Sequence, residues 1–396
     1  MKGKKRHEFI WKVAGTLCRR IWANKFNFEY DKIEVEHSPY IVIANHLTNW
    51  DPILIGLSFN KFMYYVASDH ILRMGLISKL LEFAMAPIAR LKTAQETQTV
   101  ISIFRRLKEK CNICIFAEGT MSFDGVTGEL QPSIGKLIKR AGVALVTYKF
   151  TGSYLTFPRW ARFLRKGKME GRLVQIYSPE EIASMTEEEI YKAILKDIYL
   201  DAYEEQEKKH VIFKGKKPAE CLETVLYCCP KCGQFGTLTS RDDLLFCTCG
   251  FKVRYNEYCY FEIPDGEGEP PFKTVRDWVK WERDEVCALT AKDSGADVPL
   301  TTDENQYLYE IKKASHNTLT AKGKLCLYKD RLSVITKTGR RVDFPLKEII
   351  EIGIITMQTI IFSTEHKVFE IHSKRPRSAL KYMDMINIIK TYNKEE

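Results

Sequence analysis

A histidine and an aspartate five positions apart close the segment Asn45-His46-Leu47-Thr48-Asn49-Trp50-Asp51. A carboxylate on one ring nitrogen fixes the tautomer of an imidazole, and the other nitrogen can then take a proton from a hydroxyl. His46 and Asp51 could together act as a general base. On an uninterrupted helix, five residues would turn the two side chains about 140° apart, so they meet only if the segment between them turns. Before the histidine, Tyr40-Ile41-Val42-Ile43-Ala44 is continuous and β-branched, the pattern of a strand buried on both faces of a mostly parallel sheet. After it, Asp51-Pro52 suits a helix start, with aspartate at the N-cap and proline in the first turn. The pair alone carries little weight. A chain with eight histidines produces such spacings by chance, and an N-capping aspartate beside a satisfied buried histidine would account for it equally.

Ile113-Cys114-Ile115-Phe116-Ala117-Glu118-Gly119-Thr120 is a second buried-strand run, ending in a carboxylate and a glycine. Together NHLTNWD and FAEGT resemble the glycerolipid acyltransferase family, whose best-known members acylate lysophosphatidate. The resemblance spans residues 36 to 210. It implies that His46 is the base, Asp51 its orienting carboxylate, and Glu118, Gly119 and Thr120 the acceptor-binding motif. Met85-Ala86-Pro87-Ile88-Ala89-Arg90 is similar to the family's second motif, in which Arg90 would grip the acceptor phosphate through its guanidinium fork. Ala117 and Met121 stand where proline and arginine are usual, Ala89 where an acidic residue is usual, and Val146-Thr147-Tyr148 in place of valine-proline-valine. Gly152 follows as expected. These departures leave the implied reaction intact and loosen the implied anchoring of a phosphate.

The resemblance implies transfer of an acyl group from acyl-CoA, or from acyl carrier protein, to the free hydroxyl of a lysophospholipid, foremost 1-acylglycerol-3-phosphate, in phospholipid biosynthesis. The alternative is a non-catalytic lipid-binding or regulatory protein that keeps a degenerate acyltransferase domain. No GxSxG elbow is present, which fits direct attack of the acceptor on a thioester without a protein nucleophile.

The chain has 396 residues, 45% of them hydrophobic and 28% charged, which places it among globular proteins of two or three domains. Its formal charge of +10 favours anionic surfaces, whether nucleic acid or acidic phospholipid. No stretch reaches about 18 uncharged apolar residues, so no transmembrane helix is expected, and no signal-peptide core follows the basic start at Met1 to Arg6. The expected location is peripheral, on the cytoplasmic face of a membrane. Twelve cysteines in such a setting point to reduced thiols or metal ligands.

From Ile10 to Ala23, Ile10, Ala14, Leu17, Cys18 and Ile21 share one helical face with Lys12, Thr16 and Arg19 opposite, and Trp11 and Trp22 at its edge. That pattern fits a helix in a membrane interface and equally a helix packed on the enzyme's own core. Ile71 to Leu91 reads as a core helix, because Arg73, Lys79, Glu82 and Arg90 recur too often for deep immersion. Gln95 to Lys110 reads as an amphipathic helix, and Cys111 and Cys114 as structural. Glu180 to Lys208 reads as a strongly helical, highly charged stretch closing the first domain.

Cys229-Pro230-Lys231-Cys232-Gly233 and Cys247-Thr248-Cys249-Gly250, with fourteen residues between Cys232 and Cys247, resemble a zinc ribbon. Cys229, Cys232, Cys247 and Cys249 would close a tetrahedral structural site, with Cys228 or Cys259 as possible substitutes for one ligand. Asp242-Asp243 beside Arg241 argues against nucleic acid on this ribbon, where stacking aromatics between cations would be needed. A helix is expected over Thr274 to Val286 and a linker over Asp293 to Asp303. Thereafter strand runs at Lys324 to Tyr328, Arg331 to Thr336, Arg341 to Phe344, Ile349 to Ile355, Thr359 to Ser363 and Lys367 to Ile371 precede a helix at Ser378 to Thr391. That order resembles pleckstrin-homology and related lipid-binding modules, with Lys337, Arg340 and Arg341 around one hairpin.

The expected architecture is therefore an α/β domain with a mixed, mostly parallel sheet and flanking helices, plus a small zinc ribbon and a β-rich C-terminal domain capped by a helix. Its divisions are an amphipathic helix at 1–30, the acyltransferase domain at 31–210, the ribbon at 221–262, a helix and linker at 263–303, and the β domain at 304–396.

Overall fold

The computed structural model describes residues 3–68, 71, 73, 75–90, 96–264, 266, 268–291, 295, 297–312 and 316–395; for Ala14, Thr16, Leu17 and a few other residues within helices and strands it describes the backbone only. The ends of the expected segments at Leu91 and Gln95, and parts of the turn at 265–269 and the linker at 293–303, lie outside the described residues. Two compact units emerge, one of Met1–Arg159 with Leu164–Gly215 and one of Trp160–Phe163 with Lys216–Glu396.

The first unit runs α1 (Lys4–Phe26), β1 (Phe28–Tyr30), β2 (Tyr40–Ala44), α2 (Asp51–Ser58), β3 (Met63–Ser68), α3 (Leu76–Ala84), β4 (Ile88–Arg90), α4 (Glu96–Lys108), β5 (Asn112–Ile115), α5 (Ile134–Ala141), β6 (Ala144–Thr151), α6 (Ser153–Thr156), β7 (Met169–Tyr177), α7 (Pro179–Ser184), α8 (Glu187–Ile198) and α9 (Ala202–Lys209). Its sheet has the order β1-β7-β6-β2-β5-β3-β4. The strands β2 to β6 run parallel to their partners in that set, while β7 is antiparallel to β6 and parallel to β1. Every residue of β2 is buried, as a central strand covered on both faces must be. Ile41, Ile43, Ile113, Ile115 and Leu145 of the sheet pack with Ile134, Ile138, Ile190, Ile194 and Ile198 of the helices.

The charged stretch after β7 is three helices, and local chemistry explains the breaks. Ser178 with Glu181, and Thr186 with Glu189, form capping boxes that start α7 and α8, and Asp201 accepts from the amides of Tyr203 and Glu204 to start α9. Each cap satisfies amides that a continuous helix would have used internally.

Two expectations about helices change. The expected core helix at 71–91 is a nine-residue helix, α3, followed by the short strand β4. Its Leu76, Leu80 and Phe83 are 83%, 66% and 53% exposed, so one side is an outward apolar stripe at i, i+4, i+7 spacing. In α1, Trp11 and Trp22 turn inward. Trp11 packs against Phe62, and Trp22 lies 4.8 Å from Trp50, while Phe9, Val13 and Ile21 face outward. The tryptophans therefore dock the helix and leave smaller apolar side chains on its outer side.

In the second unit, β8 (Leu238–Arg241), β9 (Leu244–Cys247), β10 (Lys252–Tyr255) and β11 (Phe261–Glu262) form an antiparallel ribbon. It is followed by α10 (Val275–Ala291) and the strands β12 (Thr301–Lys312), β13 (His316–Leu327), β14 (Arg331–Thr336), β15 (Arg341–Pro345), β16 (Glu351–Ile355), β17 (Thr359–Ser363) and β18 (Val368–Ser373), then α11 (Leu380–Glu395). These strands make an antiparallel sheet in the order β15-β14-β13-β12-β18-β17-β16. The strand at its centre, β12, is the one the sequence did not mark, because buried positions there include Thr301 and Gln306 beside the single large apolar Leu308. Gln306 is satisfied by Arg377, whose Nε donates to its Oε1 at 2.6 Å.

Candidate active site and candidate metal centre

His46, Arg90 and Glu118 all lie at or just beyond the carboxyl ends of parallel strands β2, β4 and β5, and this edge is where open α/β sheets place their ligands. Directly after β2, Asn45 holds the loop down: its Nδ2 donates to Phe150 O at 3.0 Å and its Oδ1 accepts from Phe150 N at 2.8 Å. Nothing in the sequence alone assigns Asn45 a role. A buried amide side chain replacing a backbone rung leaves no signal beyond its residue type.

The segment between His46 and Asp51 turns, as their meeting requires. Asp51 N donates to Thr48 O at 3.3 Å, and α2 starts with Trp50 at the N-cap, so Asp51 is the first helical residue and not the cap as expected. The shift by one residue frees its carboxylate from capping the helix to serve the loop. Oδ2 lies 2.9 Å from His46 Nδ1 and accepts from the amides of Leu47 and Thr48 at 2.7 and 2.8 Å, while Oδ1 accepts from the Thr48 hydroxyl at 2.7 Å. Asp51 is fully buried and the His46 side chain 20% exposed. The arrangement orients the imidazole with Nδ1 toward the carboxylate and leaves Nε2 as the atom that can meet a proton donor. The ring also stacks on Phe116 at 4.3 Å.

Glu118 ties the second motif to the first. Its Oε1 accepts from His46 N at 2.7 Å and its Oε2 from Gly128 N at 2.8 Å. Burial pushes its pKa up to about 8, against which those two amides pull. Glu118 therefore positions the histidine through the backbone. Ser122 N also donates to His46 O at 3.1 Å, so both sides of the His46 peptide are held.

Arg90 Nη1 donates to Gly119 O at 3.3 Å, bringing the two motif residues into one contact. Gly119 has φ +71°, and a Cβ built there would stand 2.1 Å from Arg90 Nη1. Only glycine accepts both conditions. Gly119→Ala is expected to cost about 1–2 kcal/mol of stability and to displace the Arg90 guanidinium; thermal unfolding checks it. Thr120 is exposed, and its Oγ1 accepts from Arg159 Nη1 at 2.9 Å. Arg159 follows α6 and lies in none of the motifs that carry the resemblance.

In the second unit, the sulfurs of Cys229, Cys232, Cys247 and Cys249 all lie within 4.8 Å of one another. The pairs Cys229–Cys249 and Cys232–Cys247 are 3.7 and 3.8 Å apart. Gly233 and Gly250 have φ of +67° and +85°, the left-handed turns that the two knuckles need. Burial pushes the Cys229 thiol up to about 12, against which the amides of Cys232 and Lys231 pull. Cys228 is set apart, with its sulfur 3.7 Å from Gly233 O. The four cysteines could hold a metal ion, and the single spacer between Cys247 and Cys249 does not keep the fourth sulfur out.

Residues 25–151 match the family model described as Acyltransferase. Among solved structures, the chain is similar to the 1-acyl-sn-glycerophosphate (LPA) acyltransferase PlsC from Thermotoga maritima at 18% identity, covering 50% of this chain and 81% of that one with a TM-score of 0.40. A chain of the 8S snRNP assembly intermediate matches at 15% identity over 27% of this chain and 88% of its own, with a TM-score of 0.19. No curated protein matches.

Proposed function

With residues 25–151 an acyltransferase-family domain, we propose that the protein is a peripheral-membrane O-acyltransferase that moves an acyl group from acyl-CoA to the free hydroxyl of a lysophospholipid, foremost 1-acylglycerol-3-phosphate, in phospholipid biosynthesis. The observation that carries this reading is the His46–Asp51 pair at 2.9 Å with Glu118 bonded to the His46 amide. In the mechanism, the acceptor hydroxyl gives its proton to His46 Nε2 as its oxygen attacks the thioester carbonyl. The tetrahedral intermediate then collapses, expelling the thiolate, which takes up the proton. Asp51 holds the imidazole and stabilises its charged form, Glu118, expected from the sequence to bind the acceptor, instead fixes the His46 peptide with both oxygens engaged, and Arg90, Gly119 and Thr120 position the acceptor.

The test is thiol release from a panel of acyl-CoAs with lysophosphatidate, lysophosphatidylglycerol and glycerol 3-phosphate as acceptors. Turnover on lysophosphatidate supports the reading. No turnover on any acceptor, with vesicles present, would replace it with a lipid-binding protein that has kept the acyltransferase shape.

Membrane attachment on the cytoplasmic face is assigned to the outer sides of α1 and α3. Phe9, Val13, Ile21, Leu76, Leu80 and Phe83 are exposed there, with Arg6 4.4 Å from the Phe83 ring. Exposed apolar side chains among cations suit the interface of an anionic bilayer. The double variant Leu80→Asp, Phe83→Asp is expected to weaken sedimentation with anionic vesicles at least tenfold, since each buried side chain contributes about 1.5–3 kcal/mol. Unchanged sedimentation would reassign the surface. In the C-terminal module, Lys337 and Arg340 sit on the exposed β14–β15 turn, a local positive charge that would attract an anionic group.

The cysteine cluster is assigned a structural zinc. Tetrahedral Zn–S bonds of about 2.3 Å place sulfurs about 3.8 Å apart, and two of the pairs are 3.7 and 3.8 Å apart. Four protein ligands leave no open position, so the ion would serve folding and not the transfer.

A further inference from the structure

We propose that a cavity at the amino edge of the first unit's sheet binds the phosphate of an anionic membrane phospholipid, at a site separate from the catalytic edge. The cavity, of about 470 Å³, lies between α1 and the residues that lead into β2, β3 and β5, and its size is ordinary for a small-molecule site. Lys4, Lys12 and Arg19 of α1 line it together with Lys61 and Lys110, and Glu8 is the one carboxylate on its wall among the described residues. Positions 4, 12 and 19 fall on one side of a helix, so the segment lends the cavity its charge as a stripe. This is not the acceptor subsite. The five residues of β2 run between the cavity and His46, about 16 Å at the rise of a strand, whereas the phosphate and free hydroxyl of a lysophospholipid are only a few bonds apart.

Most of that charge has no counter-ion. Glu8 lies 3.9 Å from Lys4, whose Nζ also donates to Lys110 O at 2.8 Å and Glu109 O at 3.3 Å, so this cation docks the helix. Lys61 donates to Val35 O at 3.3 Å. Glu34 is held by Asn60 Nδ2 at 3.2 Å and Glu109 by Arg106 at 3.1 Å, each with its own partner. Among the described residues, Arg19, Lys61 and Lys110 have no carboxylate within ion-pairing distance. The Arg19 Nε is buried without a hydrogen-bond partner, so this guanidinium has lost water with no protein acceptor in exchange. An anion in the cavity offsets that loss, and the guanidinium fork suits a phosphate.

The source of the phosphate rests on the membrane-facing reading of α1. Around that helix Phe9 and Val13 follow Lys12 by about 60° and 100°, and both are exposed. The cationic wall therefore adjoins an apolar side, the order in which a phospholipid presents its phosphate and then its acyl chains. A phosphate held between α1 and the turns before β3 and β5 would also fasten the helix to the domain, and binding of the folded state alone stabilises it.

The experiment uses the full chain and calorimetry with water-soluble monomers of dihexanoylphosphatidylglycerol, dihexanoylphosphatidylcholine and inorganic phosphate. The wild type is compared with Arg19→Met, Lys110→Glu and, as a control at the catalytic edge, Arg90→Met. Saturable binding of one phosphatidylglycerol per chain is expected, weakened roughly 10-fold or more in Arg19→Met and Lys110→Glu and unchanged in Arg90→Met. Phosphatidylcholine, whose headgroup carries no net charge, should bind at least about 10-fold more weakly. No saturable binding by the wild type, an unchanged Kd in Lys110→Glu, or a loss confined to Arg90→Met would overturn the assignment. Inorganic phosphate bound as tightly as phosphatidylglycerol would overturn the lipid as its source. If Arg19→Met does not fold, Lys110→Glu decides alone, because that side chain is exposed. Monomeric lipid needs neither turnover nor a bilayer, so loss of the acyltransferase reading, or of vesicle attachment through α1 and α3, would show in other assays and leave this binding unaltered.

Discussion

Replacing His46 with alanine is expected to lower acyl transfer by a factor of about 10²–10⁴ while leaving unfolding temperature and metal content unchanged. The ring is partly exposed and, among the described residues, its one polar side-chain contact is to Asp51, so its removal orphans little. Asp51→Asn should behave differently. Asp51 Oδ2 accepts from three donors, the His46 ring and the amides of Leu47 and Thr48, and Oδ1 from the Thr48 hydroxyl. An amide carries one acceptor and two hydrogens, so with its nitrogen toward the ring it turns N–H against the Leu47 and Thr48 amides in a fully buried place, and with its nitrogen toward Thr48 the hydroxyl must reverse to accept and the charge that stabilises the imidazolium is lost. The expected result is a comparable loss of turnover together with roughly 1–3 kcal/mol of lost stability. Thiol-release kinetics and thermal unfolding on both variants check the contrast. Transfer by His46→Ala within tenfold of wild type would remove His46 from the role of base.

The second large effect concerns the cysteine cluster. Chelation of the zinc proposed for this cluster, or Cys232→Ser, is expected to unfold the ribbon and to destabilise the second unit by several kcal/mol, lowering its unfolding temperature by about 10 °C or more. The size follows from what rests on the first knuckle. Glu282 of α10 accepts from the amides of Tyr227 and Cys228 at 2.5 and 2.6 Å, Trp278 Nε1 donates to Cys228 O at 3.0 Å, and the Tyr227 hydroxyl bonds Asp384 of α11 at 2.9 Å. Glu282 is fully buried, and burial holds its carboxyl well above the usual range. If the knuckle opens, these groups lose partners inside an apolar setting, which is costly. Metal analysis giving one zinc per chain, lost with the unfolding shift, is the supporting result. A second unit that unfolds at the same temperature with and without metal would sink the structural assignment.

The contrast between the two sites also separates function from folding. Acyl transfer should be lost in His46→Ala with the metal retained, whereas Cys232→Ser should first be visible in unfolding. Neither outcome depends on the identity of the acceptor.

Much of the active edge was legible in the chain because it is local. An apolar run followed by NHLTNWD folds on itself within seven residues, and the Asp51 interactions span three to five positions. The cysteine pairs and their glycines were legible for the same reason, since each knuckle is a tight turn of fixed chemistry. The sequence also marked Arg90 and Glu118, 28 positions apart, though only through resemblance to a family.

Tertiary structure decided what depends on distant segments sharing one surface. That Glu118 clamps the His46 peptide across 72 positions, and that Arg159 meets Thr120 across 39, follows from parallel strands that end on one edge. Periodicity alone did not say which side of α1 and α3 faces out, because an amphipathic moment has the same form whether its apolar face meets a core or a lipid surface. The central strand β12 was hidden because Gln306 is buried by virtue of a bond to Arg377, 71 positions away. A polar residue satisfied by a distant partner reads as a surface residue until the partner is in place.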